Sequence, residues 1–511
     1  MTLRRGLISG ARHRDHETVQ RNAMRAATGL RALGLLPGDA VALLLRNDFV
    51  FFEASYAAQA AGVYAVPINW HLAPAEVEYI LNDSEAKVLV VHADLLAQVR
   101  ERIPDGVAVL VQQTPAEVIE AYGLDAAAAT PADGATRWED WLAGFDALET
   151  PYPQLAETMM YTSGTTGLPK GVRRAMQSAE DGAQLAAMRD IVYGIKPGIR
   201  ALVAGPLYHS APNSFGLRAA RIADALVLMP RFEPKAFLDV IAQERITTTF
   251  MVPTMFVRLL KLPDEVRAAA DISSLQYVMH AAAPCSSEIK RRMIEWFGPI
   301  VNEFYGGTEV GYWTLCNSDE WLAKPGTVGR APKEVVLKAL DENGNELPSG
   351  QPGVLYGKLQ CYPEFTYNKR AEARREVEKD GLITIGDIGY FDADGYVFIC
   401  DRAKDMVVSG GANIYPAEIE AELVHMAGVA DGAVFGIPDA EFGEKLMAVV
   451  QPLPGAELSA VAVMDHLRRR IAGFKVPRVI EFRDALPRGD DGKILKRNLR
   501  APYWEGHERN V

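Results

Sequence analysis

The 511-residue chain carries 54 Lys and Arg against 66 Asp and Glu, a formal net charge of −12, with 49% hydrophobic and 23% charged residues. That length exceeds one ordinary hydrophobic core, so at least two domains are expected, and the acidic balance argues against non-specific binding of nucleic acid. Met1 to Ser9 contains no apolar run of signal length, and the four cysteines (285, 316, 361 and 400) form no CxxC pair or zinc spacing, which points to reduced thiols in a cytoplasmic protein.

In chain order, Val19, Ala23, Ala26, Leu30 and Leu33 recur at helical spacing before Gly34. Ala40 to Leu45 reads as a strand, Phe51 to Ala61 as a helix, Tyr64 to Ile68 as a strand, Pro74 to Leu81 as a helix and Ala86 to Val91 as a strand. The most apolar stretch, Phe49 to Trp70, holds Glu53, Gln59 and Pro67, so a buried helix leading into a strand explains it better than a membrane span. The run Ala126 to Ala135 reads as a surface insertion. Alternation of helix and strand continues to about residue 330 and indicates an α/β architecture with largely parallel sheets. Val335 to Cys400 instead has short strands and Asp/Asn/Gly turns, which suggests a β-rich subdomain. After the charged junction Asp401 to Asp405, a small α+β unit follows. Its first helix begins at Pro416 with Ile419, Leu423 and Met426 on one face.

One segment carries chemistry by composition. Tyr161-Thr162-Ser163-Gly164-Thr165-Thr166-Gly167-Leu168-Pro169-Lys170-Gly171 combines glycines that can turn N–H groups toward an anion, hydroxyl donors and a lysine charge. It is an anion cradle, distinct from GxxxxGK[ST] because Gly171 follows Lys170. Further on stand Tyr305-Gly306-Gly307-Thr308-Glu309, Ile385-Gly386-Asp387, Asp401 to Glu420, and Pro487 to Lys493.

In this order the five motifs resemble the adenylate-forming superfamily, in its acyl-CoA synthetase branch, over nearly the whole chain. The resemblance implies a large N-terminal domain, 1–401, of stacked, mostly parallel α/β subdomains with a β-rich subdomain at about 330–401. A small mobile α+β domain, 402–511, would pivot near Lys404. It also implies two half-reactions. A carboxylate attacks the α-phosphorus of ATP and releases pyrophosphate; a thiol, usually of coenzyme A, then displaces AMP. ATP, Mg²⁺ and coenzyme A are the implied cofactors and co-substrates.

Residue roles follow by match to the motifs. Thr162, Ser163, Gly164, Thr165, Thr166, Gly167 and Lys170 would contact the β- and γ-phosphates, Thr308 the α-phosphate, and Glu309 would hold Mg²⁺. Tyr305 would stack on adenine beside Gly306 and the backbone of Ala282, Ala283 and Pro284. Asp387 would accept from the ribose hydroxyls with Arg402 in support. Lys493 would bridge the acid and the α-phosphate, and it matches a site of lysine acetylation, so a lysine acetyltransferase is an implied partner beside a homodimer. Ser409, Gly410 and Gly411 would line the pantetheine path. His209, Ala281 and Gly307 would border the acid. Met251-Val252, Met279 and the small residues of Ala281 to Ala283 suggest an apolar pocket for a medium- to long-chain fatty acid or a bulky alicyclic or aromatic acid. The alternatives are an acyl-AMP ligase that delivers to a carrier-protein thiol, and a non-catalytic nucleotide-binding regulator.

Overall fold

A computed structural model describes residues 3–162, 169–409, 412–439, 442–489 and 493–505. Packing divides the chain into two compact units, 1–323 with 359–378, and 324–358 with 379–511. Most of the β-rich segment therefore falls in one unit with the C-terminal residues, while 359–378 falls in the first unit. Packing density and the expected division at 401 describe different properties, the first cohesion and the second motion.

In the first unit, the largest sheet among the described residues has eight strands. Six run parallel, in the order Val301–Gly307, Tyr277–His280, Thr248–Met251, Arg200–Val203, Ala225–Leu228 and Gly6–Ser9. Antiparallel edge strands, Gly311–Cys316 and Arg12–Arg14, close the two ends. A four-stranded parallel sheet is ordered Tyr64–Pro67, Ala40–Leu44, Ala86–His92 and Ala108–Gln112. A three-stranded antiparallel sheet joins Met160–Thr162, Lys170–Arg174 and Phe365–Tyr367. The α/β expectation is met, because apolar runs such as Ala40–Leu44 are buried on both faces, as parallel strands under helices must be.

Helix ends follow their capping residues. Asp15 accepts from the Thr18 N–H at 2.7 Å and starts His16–Ala32. Helix Phe49–Ala61 starts at Asp48 and stops at Gly62, where φ is +77°. This helix is buried almost all round, so its one carboxylate, Glu53, must be satisfied inside. Arg14 at 2.6 Å, the Asn22 amide at 2.8 Å and the Trp138 indole at 3.2 Å all donate to it. Glu53 thereby ties together a strand and three helices.

Part of the Ala126–Ala135 run departs from its expected surface place. Ala129 is 1% exposed and its carbonyl accepts from the Thr114 N–H at 3.0 Å. Alanine loses no side-chain entropy there, so a small-residue run can be tucked under a loop at little cost.

In the second unit, Val335–Leu340, Gly353–Leu359, Leu382–Phe391 and Val397–Arg402 belong to one mostly antiparallel sheet. A second sheet centres on the antiparallel pair Val429–Asp439 and Gly443–Pro452, with Val479–Phe482 parallel to the latter. Helix Pro416–Val424 buries Ile419 and Leu423. Met426 lies beyond its end yet packs on the same core. All four cysteines are free thiols. Among the described residues no helix is long and apolar enough to cross a membrane.

Glu53→Ala should lower stability by about 3 kcal/mol, because it strands a half-buried guanidinium, an amide and a buried indole N–H. A lower urea midpoint with an unchanged slope would show this.

Candidate active site

The hairpin Met160–Thr162 and Lys170–Arg174 pairs Thr162 with Lys170, so the two residues that flank the glycine-rich loop stand side by side. Ser163, Gly164, Thr165, Thr166 and Gly167 lie outside the described residues. Both sides of the loop's base are anchored. Tyr161 donates to Asp83 at 2.6 Å, and burial followed by that carboxylate pushes its phenol far up, so it stays a donor. Tyr79 donates to the Pro169 carbonyl at 3.1 Å and accepts from Arg370 at 2.8 Å. The Asn368 N–H donates to the Gly171 carbonyl at 2.7 Å. A Cβ at Gly171 would stand 2.8 Å from the Tyr161 ring, so only glycine fits there.

Tyr305 to Glu309 emerges at the end of strand Val301–Gly307, through a bulge between Tyr305 and Gly306. A Cβ on Gly306 would meet the Gly311 carbonyl at 2.1 Å, which makes glycine obligatory at this turn. Arg174 donates to the carbonyls of Thr308 and Glu309. Tyr367 donates to Glu309 Oε1 at 3.2 Å, and its ring centroid is 5.1 Å from Lys170 Nζ. Burial, and then Glu309, raises the Tyr367 phenol and keeps it protonated. Trp313, 0% exposed, sits edge-on to Tyr305 at 5.9 Å and buttresses that ring.

Ala281 to Pro284 follows strand Tyr277–His280, the parallel neighbour of Val301–Gly307. Both segments thus lie at carboxyl ends of adjacent parallel strands, where open α/β sheets bind ligands. Ala282 is exposed and holds φ +77°, a strained value for a residue with a Cβ. Ala281 is buried at 3%, while Ala283 is half-buried and Pro284 exposed. His209 is the N-cap residue of helix Ser210–Ile222, with its ring 4.5 Å from that of Tyr208. The loop before it hangs on buried Asn47, which donates to the Gly205 carbonyl at 3.0 Å and accepts from the Leu207 N–H at 3.0 Å. Asn47 escaped the sequence reading, since a lone Asn before a helix is indistinguishable from a cap. Met251 and Met279, read as pocket residues, are 0% and 2% exposed. They are buried because their side chains belong to strands covered on both faces.

In the second unit, Asp387 and Arg402 face each other across paired strands, 3.3 Å apart. Gly386, at φ +79°, turns the chain just before Asp387. Lys404 follows in a turn; burial, and then Arg402, lowers its ammonium below the usual range. Asp401 accepts from the Ala417 N–H at 2.8 Å and so secures the first turn of helix Pro416–Val424. Lys493 is exposed, and its carbonyl accepts from the Gly489 N–H at 2.8 Å. Ser409 ends strand Val407–Ser409, and Gly410 and Gly411 lie outside the described residues.

The AMP-binding enzyme profile matches residues 4–360, and the AMP-binding enzyme C-terminal domain matches 418–493. This chain belongs to the AMP-binding enzyme family. It is 34% identical over 496 residues to a feruloyl-CoA synthase of Amycolatopsis sp, covering 95% of this chain and 93% of that one. To the fatty acid–[acyl-carrier-protein] ligase ScoC of Streptomyces coeruleorubidus it is 32% identical, over 97% of this chain and 93% of that one. Among solved structures, ATP-bound MatB from Rhodopseudomonas palustris matches with a TM-score of 0.84 at 29% identity, covering 99% of this chain and 97% of that one. This AMP-binding enzyme is an ATP-dependent, AMP-forming ligase of the acyl-CoA synthetase type, a class that uses ATP, Mg²⁺ and coenzyme A. Among the described residues no group of three His, Cys, Asp or Glu could form a resident metal cage. The single carboxylate Glu309 fits an ion that arrives with nucleotide phosphates and keeps waters, as Mg²⁺ does.

Tyr367→Phe should raise the KM for Mg²⁺–ATP about three- to tenfold, through loss of the Glu309 hydrogen bond. Excess Mg²⁺ should restore the rate, which a steady-state titration would register. His280 gives a second expectation. It is 0% exposed, faces Lys290 and Glu303, and is held far below its ordinary range by burial and then by Lys290. The folded state therefore refuses a proton that the unfolded chain accepts. Stability should fall as pH drops below about 6.5, by up to ~1.4 kcal/mol per unit. His280→Leu should remove that part of the slope in denaturation curves at pH 6.5 and 5.5.

Proposed function

We propose that this ligase activates an apolar carboxylic acid as its acyl adenylate and transfers the acyl group to coenzyme A in the cytoplasm. The observation that carries this reading is the pair of neighbouring strand ends, Ala281–Pro284 and Gly306–Thr308, with Glu309 braced by Tyr367. In this reading Thr162 and Lys170, with Ser163 to Gly167, grip the β- and γ-phosphates, Thr308 meets the α-phosphate and Glu309 holds Mg²⁺. Tyr305 stacks on adenine over Ala282 to Pro284. Asp387 and Arg402 serve the ribose, Lys493 the carboxylate and α-phosphate. Residues 402–511 turn about Lys404 between half-reactions and bring Ser409 to Gly411 to the thiol path.

Of the two acid classes, the bulky aromatic or alicyclic one has more support. Rings of Tyr193, Phe215, Phe250 and Phe304 make contacts 5.6 to 6.3 Å apart between helices Ala179–Tyr193 and Ser210–Ile222 and the large sheet. An aromatic layer of this kind suits a compact ring better than a long flexible tail. The similarity to a feruloyl-CoA synthase points the same way, whereas that to a carrier-protein ligase keeps acyl-AMP delivery to a carrier thiol as the second reading. Homodimerisation and acylation of Lys493 by an acetyltransferase belong to the same proposal.

Pyrophosphate release across a panel of acids with coenzyme A, followed by mass spectrometry of the thioester, tests it. Aromatic or alicyclic acids should give acyl-CoA. Adenylate without acyl-CoA would favour the carrier reading, and no turnover with any acid would defeat both. Lys493→Gln should reduce adenylation by about 100-fold or more, because the transition-state charge loses its bridging cation; normal pyrophosphate exchange in that variant would refute the role.

A further inference from the structure

A cavity of about 130 Å³ lies within the first unit between the phosphate-loop hairpin, helix Phe49–Ala61 and helices Ala179–Tyr193 and Ser210–Ile222. Its lining includes four guanidiniums, Arg174, Arg189, Arg218 and Arg221, one carboxylate, Glu157, and Thr308. Arg221 is exposed at the outer end, and Arg174 is buried at 4% beside Thr308. Arg189 holds Glu157 in a forked pair at 2.7 and 3.1 Å, and Arg218 holds Asp190 at 2.7 Å. Arg174 and Arg221 are held by neutral groups: Arg174 by the carbonyls of Thr308 and Glu309 and the Tyr362 ring at 4.2 Å, Arg221 by the Gln59 amide at 2.6 Å and the Tyr56 ring at 4.2 Å. Among the described residues neither has a carboxylate partner. The Glu157 carboxyl responds to this excess. Burial would raise it, yet Arg189, with Arg174 and Arg221 behind it, holds it below the usual range.

The cavity also shares a face with the expected phosphate grip. Thr162 pairs with Lys170 and Met160 with Val172, so Lys170, Val172 and Arg174 project to one side of the hairpin. Lys170 and Arg174 stand four residues apart, about 13 Å along the strand. Two positive centres therefore bracket one strand face, and the channel continues outward past Arg189 and Arg218 to Arg221. Guanidinium forks match phosphate oxygens bidentately, and a low-dielectric cavity of net positive charge concentrates anions.

We propose that this arginine-lined cavity is a second oxyanion site, which takes the pyrophosphate released by adenylation and passes it toward solvent. Diphosphate matches the excess of positive charge better than a single carboxylate does. It is also an anion that an AMP-forming ligase itself makes in every turnover. The proposal rests on the assignment of Lys170 and Thr308 to the phosphates, but its test needs neither acid nor thiol, so it stands or falls apart from the identity of either.

The test is calorimetric titration of the full-length protein, saturated with α,β-methylene-ATP and Mg²⁺, with inorganic pyrophosphate. With the nucleotide site filled, wild type should still take up pyrophosphate. Arg221→Gln and Gln59→Glu, both near the outer end, should weaken that uptake about three- to tenfold by removing or neutralising a charge. Glu157→Gln should tighten it about fivefold, since the lining then loses its one negative charge. Product inhibition by pyrophosphate in steady state should move in the same directions, with the KM for the acid unchanged. Absence of uptake by wild type would overturn the proposal. So would a shift in acid KM with unaltered pyrophosphate uptake, which would make the cavity a seat for the acid. Should Glu157→Gln fail to fold, the other two variants decide.

Discussion

The guanidinium of Arg174 is the joint on which the first unit's site depends. It sits on the strand that leaves the glycine-rich loop and donates to the carbonyls of Thr308 and Glu309, which follow a strand of a different sheet. A residue whose own role is buried thus sets the spacing between the loop and the Thr-Glu segment. Charge-assisted bonds to carbonyls are directional and strong in a low-dielectric setting, so the two segments are held in register before any nucleotide arrives. Such preorganisation is what adenylation needs, because the protein's part in that step is positioning and charge neutralisation.

Around this joint, rigid backbone choices leave little slack. Gly306 must be glycine because the Gly311 carbonyl occupies the space of a Cβ, and Gly171 must be glycine because Tyr161 does. Tyr161 is fixed by Asp83, and Tyr367 ties Glu309 to the strand beside Lys170. The hydroxyls of both tyrosines remain protonated donors because burial disfavours phenolate. Strain is stored at Ala282, whose left-handed backbone exposes the segment expected to border adenine.

Much of this was legible in the residues. Element order, the parallel character and the position of most strands follow from apolar runs and their punctuation, as at Asp48 and Gly62 around one helix. The motif resemblance groups Thr162 with Lys170 and Asp387 with Arg402 by expected ligand, and the members of each group stand opposite each other on paired strands. Assignments that depended on which way a side chain faces were not legible. Met251 and Met279 are buried on their strands, and Trp313 packs edge-on against Tyr305. Asn47, Arg174 and Glu157 each carry no local signal, since their partners lie between 32 and 182 residues away in sequence, farther than any periodic pattern spans.

By itself the sequence determined the kind of chemistry, because loop glycines, hydroxyls and the Thr-Glu and Gly-Lys motifs must lie in short contiguous stretches to present donors and charges together. It also determined the α/β class, since burial on two faces writes itself into apolar runs. Only the tertiary structure decided how charges from distant segments balance. Glu157, Arg174, Arg189, Arg218 and Arg221 are scattered over 65 residues of chain and come from a strand-flanking loop, a strand and two helices. Whether such residues cancel or accumulate charge depends on packing geometry, to which local pattern is blind.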